Sequence, residues 1–306
     1  MTSIFKRGID ALYGAPVLLL TLTALFWGGN AVASRLAIDQ ITPLTLVFLR
    51  WILVLGVLWP IYGAEVRAHW PAIKPKLFSI IVMAALGFTG FNVLFYVAAY
   101  HTTAINIGIL QGTIPVFVLS GSLVVHGTRV SLLQLIGVLL TVLGVAVVAT
   151  RGDPFALLDL EANRGDLLIL AACVLYAFYT VALRSRPAMP GAVFFTLLAL
   201  IAAVTTVPLL AFEAATVGLR WPTPHGMAIT AFVAIFPSCL AQLFFLRGVD
   251  LIGPGRAGVF VNLVPVFAAA LSVGLLGESF SPFHGVALAL VVGGIWLAQR
   301  AKAAKS

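Results

Sequence analysis

Ten runs of mostly apolar residues follow one another along the chain, roughly at 14–36, 43–62, 77–99, 103–125, 131–150, 166–184, 190–212, 226–247, 254–276 and 282–300. A helix of about 20 apolar residues crosses the roughly 30 Å hydrocarbon core of a bilayer. The runs are too long and too unbroken for the two-residue alternation of a membrane barrel. Polar residues gather in short separators, such as Glu65 to Lys76 and Arg151 to Asp166. The pattern predicts an all-α integral membrane protein with ten transmembrane helices.

Composition narrows the reading. Of 306 residues, 61% are apolar and 9% charged, against about 25% charged in an ordinary soluble domain. That argues against a soluble enzyme and against a disordered chain. The net charge of +8 is scattered and forms no stripe, so the expected partner is the lipid bilayer and not nucleic acid. With the N-terminus in the cytoplasm, thirteen Lys and Arg fall on the cytoplasmic side and four outside, with Arg50 inside the second segment. The positive-inside rule therefore places both termini in the cytoplasm. Lys6, Arg7, the run Ala15–Phe26 and Ala31-Val32-Ala33 imitate a cleavable signal peptide. The first segment has a counterpart in the second half, however, and is read as a retained span.

The two halves repeat at an offset of 147 to 150 residues. Thr113-Ile114-Pro115-Val116-Phe117 corresponds to Leu263-Val264-Pro265-Val266-Phe267, Gly108 to Gly258, Gly127 to Gly277, Pro43 to Pro190 and Arg151 to Arg300. The repeats span 1–150 and 151–306, with five spans each. An odd number makes the second half enter from the opposite side, so the repeats are inverted. Inverted repeats are typical of secondary transporters, whose sites lie where the repeats meet.

Two five-helix repeats, each with a proline in its fourth helix, resemble the drug/metabolite transporter superfamily and its EamA-type ten-helix exporters. The residues carrying the likeness are Leu25-Phe26-Trp27-Gly28-Gly29-Asn30, Phe48-Leu49-Arg50-Trp51, Pro115, Pro265, Leu276-Gly277-Glu278, Gly285 and Gly293-Gly294. The resemblance implies a multi-pass protein of the bacterial inner membrane, a monomer or homodimer that exports small metabolites. It also implies a central cavity lined by helices 1, 3, 4, 6, 8 and 9. One departure is Gly127-Thr128, where the family often has Gly-Glu as in Gly277-Glu278.

The candidate binding residues are the polar and aromatic ones at depth: Trp27, Asn30, Asn92, Tyr96, Gln111, Tyr176, Tyr179, Gln242 and Asn262. Buried polar groups are costly in a membrane and mostly face the bundle or a water-filled space. Pro115 and Pro265 cannot donate to the carbonyls of Gln111 and Val261, and they are assigned to gating with Asp250 and Arg256, which flank the start of helix 9 and are placed to pair. Arg50 is expected near the outer leaflet as a structural residue facing helix-end carbonyls. Glu278 and Glu213 are expected near the outer ends.

No metal-ligand spacing occurs among the five histidines, and Cys173 and Cys239 read as core residues. Gly253-Pro254-Gly255-Arg256-Ala257-Gly258 fits a dinucleotide-binding spacing but lacks the strand that motif requires. No cofactor is implied. No carboxylate lies at depth on a cavity helix, so the expected substrates are small neutral or zwitterionic metabolites, including amino acids, and the protein is not expected to be an enzyme. The competing readings are a proton-coupled multidrug exporter, a passive channel and a lipid scramblase.

Overall fold

The computed structural model describes residues 13–127, 131–153, 163–216, 218 and 221–303. Among these, ten helices are long and apolar enough to cross a membrane: α1 Pro16–Leu36, α2 Pro43–Ala68, α3 Trp70–Ala98, α4 Ala104–His126, α5 Leu132–Ala149, α6 Arg164–Ser185, α7 Gly191–Thr216, α8 Pro224–Ile252, α9 Arg256–Leu276 and α10 Pro282–Gln299. They fall where the apolar runs predict them. The main difference is that α2, α3, α7 and α8 continue by several residues into the separators.

The helix starts are written locally. Proline occupies the first turn of α1, α2 and α8, where no N–H is missed. Thr103 caps α4 and Thr223 caps α8 through side-chain bonds to backbone N–H groups, and Ser131 with Gln134 forms a capping box on α5. Gly127 and Gly277 end α4 and α9 at repeat-equivalent positions, with φ of 61° and 66°. A left-handed residue there is favourable only for glycine.

α2 packs along α7, and α5 along α10. Between α5 and α10 the backbones nearly touch: a Cβ on Gly137 would lie 2.4 Å from the Gly294 carbonyl oxygen, and one on Gly294 would lie 2.5 Å from that of Gly137. Such small-residue seams replace hydrophobic driving force where the solvent is lipid. We call the remaining helices, α1, α3, α4, α6, α8 and α9, the inner set, although α7 is buried as deeply as α1.

The inner helices are irregular in matched places. α3 contains a π-helical segment at Ala85–Gly90 and α8 one at Ala234–Leu240, 149 residues apart. α4 breaks between Gln111 and Ile114, just before Pro115, and α9 passes through a 3₁₀ turn at Val261–Leu263, just before Pro265. The breaks at the prolines follow from their missing N–H. Of these two π segments only Ala234–Leu240 contains a proline, Pro237.

Candidate functional site

A π segment displaces backbone carbonyls from their usual partners. In α3, Asn92 Nδ2 donates to the Phe88 carbonyl at 2.5 Å; in α8, Ser238 Oγ donates to the Val233 carbonyl at 2.5 Å. Arg50 of α2 ties these two side chains together. Its Nε donates to Ser238 Oγ at 2.6 Å, and its Nη1 donates to Asn92 Oδ1 at 2.5 Å and to Tyr96 Oη at 3.0 Å. Tyr96 in turn donates to Asn30 Oδ1 at 2.8 Å. The Arg50 guanidinium also lies 5.2 Å from the centre of the Trp51 ring. All these side chains are buried; Arg50 is only 6% exposed.

This corrects the expectation for Arg50. It bonds to side chains of two other helices, α3 and α8, rather than to helix-end carbonyls. No carboxylate lies within ion-pair distance of it: the one ion pair among the described residues joins Arg35 and Glu278.

The other candidates divide into two groups. Trp27 joins the cluster, its Nε1 donating at 3.1 Å to the carbonyl of Pro237, beside Ser238, and its ring packing on Phe245. Tyr179 stands edge-on to Phe88 at 5.0 Å and to Tyr176 at 5.3 Å, and Phe88 packs on Trp51, so an aromatic wall runs from α2 through α3 to α6. Gln242 is half-buried on α8. Gln111 donates only to its own helix, at 3.4 Å to the Ile107 carbonyl. Asn262 departs from the expected place, because its Nδ2 donates to Gln299 of α10 at 3.2 Å. It links an inner helix to an outer one, satisfying the long Gln299 side chain at the end of α10. Asp250 and Arg256 are exposed and form no ion pair with each other, against the expected pairing.

The inner helices are sealed at one end. Glu278 Oε1 and Oε2 accept from the backbone N–H groups of Ala104 and Ile105 at 2.9 and 3.0 Å, capping the start of α4, and Arg35 lies 3.8 Å away. Glu213 accepts from the Thr42 and Thr45 hydroxyls at 2.6 and 3.1 Å and from Leu44 N–H at 3.3 Å, at the start of α2. Asp166 accepts from Thr102 at 2.5 Å. All three carboxylates belong to the second repeat and hold first-repeat helix starts, where the helix dipole favours negative charge. On the opposite face Glu65, 148 residues before Glu213, is exposed. The counterpart of Glu278 is Thr128, which lies outside the described residues.

Two glycines record the same asymmetry. A Cβ on Gly108 would lie 2.2 Å from Ala268 Cβ, and one on Gly28 would lie 2.8 Å from the Ala268 nitrogen. α1, α4 and α9 thus close on one another toward the Glu278 face. Gly258, equivalent to Gly108, has nothing within 4 Å of the corresponding position among the described residues. Toward that opposite face a cleft of about 390 Å³ also opens between α4 and α5, lined by Leu119, Ser120, Leu123, Ser131, Leu132, Leu135 and Val138. It is almost wholly apolar and lies apart from the Arg50 cluster.

Sequence reasoning did not find Ser238, or the capping roles of Asp166 and Glu213. The motif Phe48-Leu49-Arg50-Trp51 carried the one available signal for Arg50.

Known proteins bear on this geometry. The uncharacterized transporter YetK of Bacillus subtilis is 27% identical over 93% of this chain and 86% of its own length. The uncharacterized inner membrane transporter YedA of Escherichia coli K12 is 24% identical over 94% of this chain and 90% of its own. A crystal structure of another protein superposes with a TM-score of 0.64 at 20% identity, over 95% of this chain and 99% of that one, which shows a shared fold. Both relatives are named as transporters, and YedA for the inner membrane; ten apolar helices make this chain a multi-pass membrane protein of that kind. Residues 14–150 and 163–299 each match the EamA-like transporter family, one match per five-helix repeat, and the chain belongs to that family.

Proposed function

We propose that this protein is a secondary transporter that moves small neutral or zwitterionic metabolites, amino acids among them, out of the cell by alternating access. The observation that carries this reading is the unlike packing of Gly108 and Gly258, two positions that the repeat makes equivalent. If the two inverted halves exchange conformations, the seal moves from one face to the other while the Arg50 cluster stays between them. The distribution of Lys and Arg assigns the Glu278 face to the outside, so this conformation is open toward the cytoplasm.

The absence of a carboxylate beside Arg50 supports the substrate charge. A binder of organic cations needs a buried anion to offset desolvation. The buried carboxylates Asp166 and Glu213 and the half-buried Glu278 are already engaged at the Glu278 face. Transport driven by the substrate gradient, or by exchange, follows from the same arrangement.

Purified protein in liposomes tests the reading. Saturable uptake with counter-exchange of a loaded amino acid is the expected result. Flux that grows linearly with concentration and shows no counter-exchange would mark a channel. Lipid movement without added solute would mark a scramblase.

A further inference from the structure

The Arg50 cluster has more donors than acceptors. Arg50 uses Nε and Nη1 on Ser238, Asn92 and Tyr96, all neutral, and its Nη2 makes no hydrogen bond among the described residues. Tyr96 accepts from Arg50 and passes its own proton to Asn30 Oδ1. That fixes the Asn30 amide, leaving its Nδ2 also without a hydrogen bond among the described residues. The sealed polar atoms without partners are Trp51 Nε1, Asn106 Oδ1 and Asn262 Oδ1. Arg50 Nη2 and Asn30 Nδ2 are not among these sealed atoms. Trp51 Nε1, on the residue next to Arg50, is a third N–H with no acceptor.

A buried cation is stable only when paired. Two N–H donors without acceptors among the described residues, one of them charged and both on residues bonded to Tyr96, suit an anion with two oxygens. Gly28 and Gly108 close the path beyond toward the Glu278 face, so a solute entering from the opposite face meets this cluster at the closed end.

We infer that Arg50 and Asn30 form the site that anchors the carboxylate of the transported solute. The inference rests on the transporter reading and narrows its substrate class to small carboxylate-bearing solutes, zwitterions included. Arg50 bonds to Asn92 and Tyr96 in the first repeat and to Ser238 in the second. A bound carboxylate competes with Asn92 and Ser238 for the guanidinium, so occupancy of the site is felt by both halves.

The test uses purified full-length protein and a panel of L-amino acids, each with its carboxamide, read as thermal shift and as counter-exchange in liposomes. Amino acids are expected to protect and exchange, with their carboxamides at least about tenfold weaker, the loss of one charge-assisted bond. Arg50→Gln is expected to abolish that discrimination. Asn30→Asp guards against a folding failure: it keeps the acceptor for Tyr96 and supplies a counter-ion to Arg50, so it is expected to raise thermal stability while removing protection by amino acids. Equal protection by acids and amides would overturn the site while leaving the transporter reading intact. So would unchanged discrimination in Arg50→Gln, equal protection by sodium chloride at matched ionic strength, or no protection by any carboxylate. Absence of exchange by every solute, amides and sugars included, would instead count against transport itself.

Discussion

Gly108 and Gly258 occupy equivalent places in the two repeats, yet one is pressed against Ala268 and the other meets nothing within 4 Å among the described residues. The opposing residues differ as well, Ala268 corresponding to Val118. The unlike packing marks the Glu278 face as the shut one. Replacing Gly108 with alanine should force α4 away from α9 and lower stability by about 1–3 kcal/mol, as overpacking does. Gly258→Ala should leave thermal stability within about 0.5 kcal/mol of the parent and slow exchange, because the closed form of that face has to accept the new methyl. A melting curve and an initial exchange rate for each variant check both statements; equal loss of stability in the two would remove the asymmetry.

Glu278 joins the end of α9 to the start of α4 with two oxygens on two backbone N–H groups and a cation nearby. Glu278→Gln keeps one acceptor and loses the charge. A cost of about 1–2 kcal/mol is expected from the weakened cap and dipole interaction, with easier opening of the Glu278 face. A pH gradient of either sign should not drive uphill accumulation in the parent protein. Accumulation driven by protons and lost in Glu278→Gln would make Glu278 the coupling group.

Asn30 and Asn262 are both buried amides on inner helices, but only Asn30 belongs to the Arg50 cluster. Asn262→Ala should cost about 0.6 kcal/mol, the average for an interhelical membrane hydrogen bond, with substrate affinity unchanged. Asn30→Ala should weaken solute binding at least about tenfold, the scale of one lost charge-assisted bond. Binding titrations on the two variants separate the roles, and a loss of affinity in Asn262→Ala would restore it to the site.

Pro115 and Pro265 follow the matched breaks in α4 and α9. Alanine at either position restores an N–H for the carbonyl four residues back and stiffens the break. Exchange should slow severalfold with equilibrium binding preserved. Unchanged exchange rates in the double variant would confine these prolines to a structural role.

Much of this architecture was legible in the sequence. Span length and hydropathy located the ten helices, because a bilayer imposes one length on every crossing. The repeat offset paired Gly127 with Gly277, and both prove to be left-handed helix ends. Asn30, Asn92 and Tyr96 were legible as deep polar residues. Their organiser was not: Arg50 lies on a helix assigned to the periphery, and only the packing of α2 against α3 and the α8 π segment brings it to them. The π segments themselves arise from tertiary packing and leave no breaker residue common to both; Pro237 lies in one and has no counterpart in Ala85–Gly90. Asn262 was misplaced because depth alone does not say which side of a helix a residue faces.

The central claim is that the seal between the repeats moves from one face to the other. Spin labels at Leu36 and Leu275, both exposed near the Glu278 face, report one end of the inner helices; labels at Val17 and Val259 report the other. Electron-spin distance measurements on the two pairs, in the parent and in Glu278→Gln, test the claim most directly. The account predicts two populations that change reciprocally, the Leu36–Leu275 distance lengthening as the Val17–Val259 distance shortens, with Glu278→Gln raising the share of the first. A single fixed pair of distances, or two distances that grow and shrink together, would contradict it.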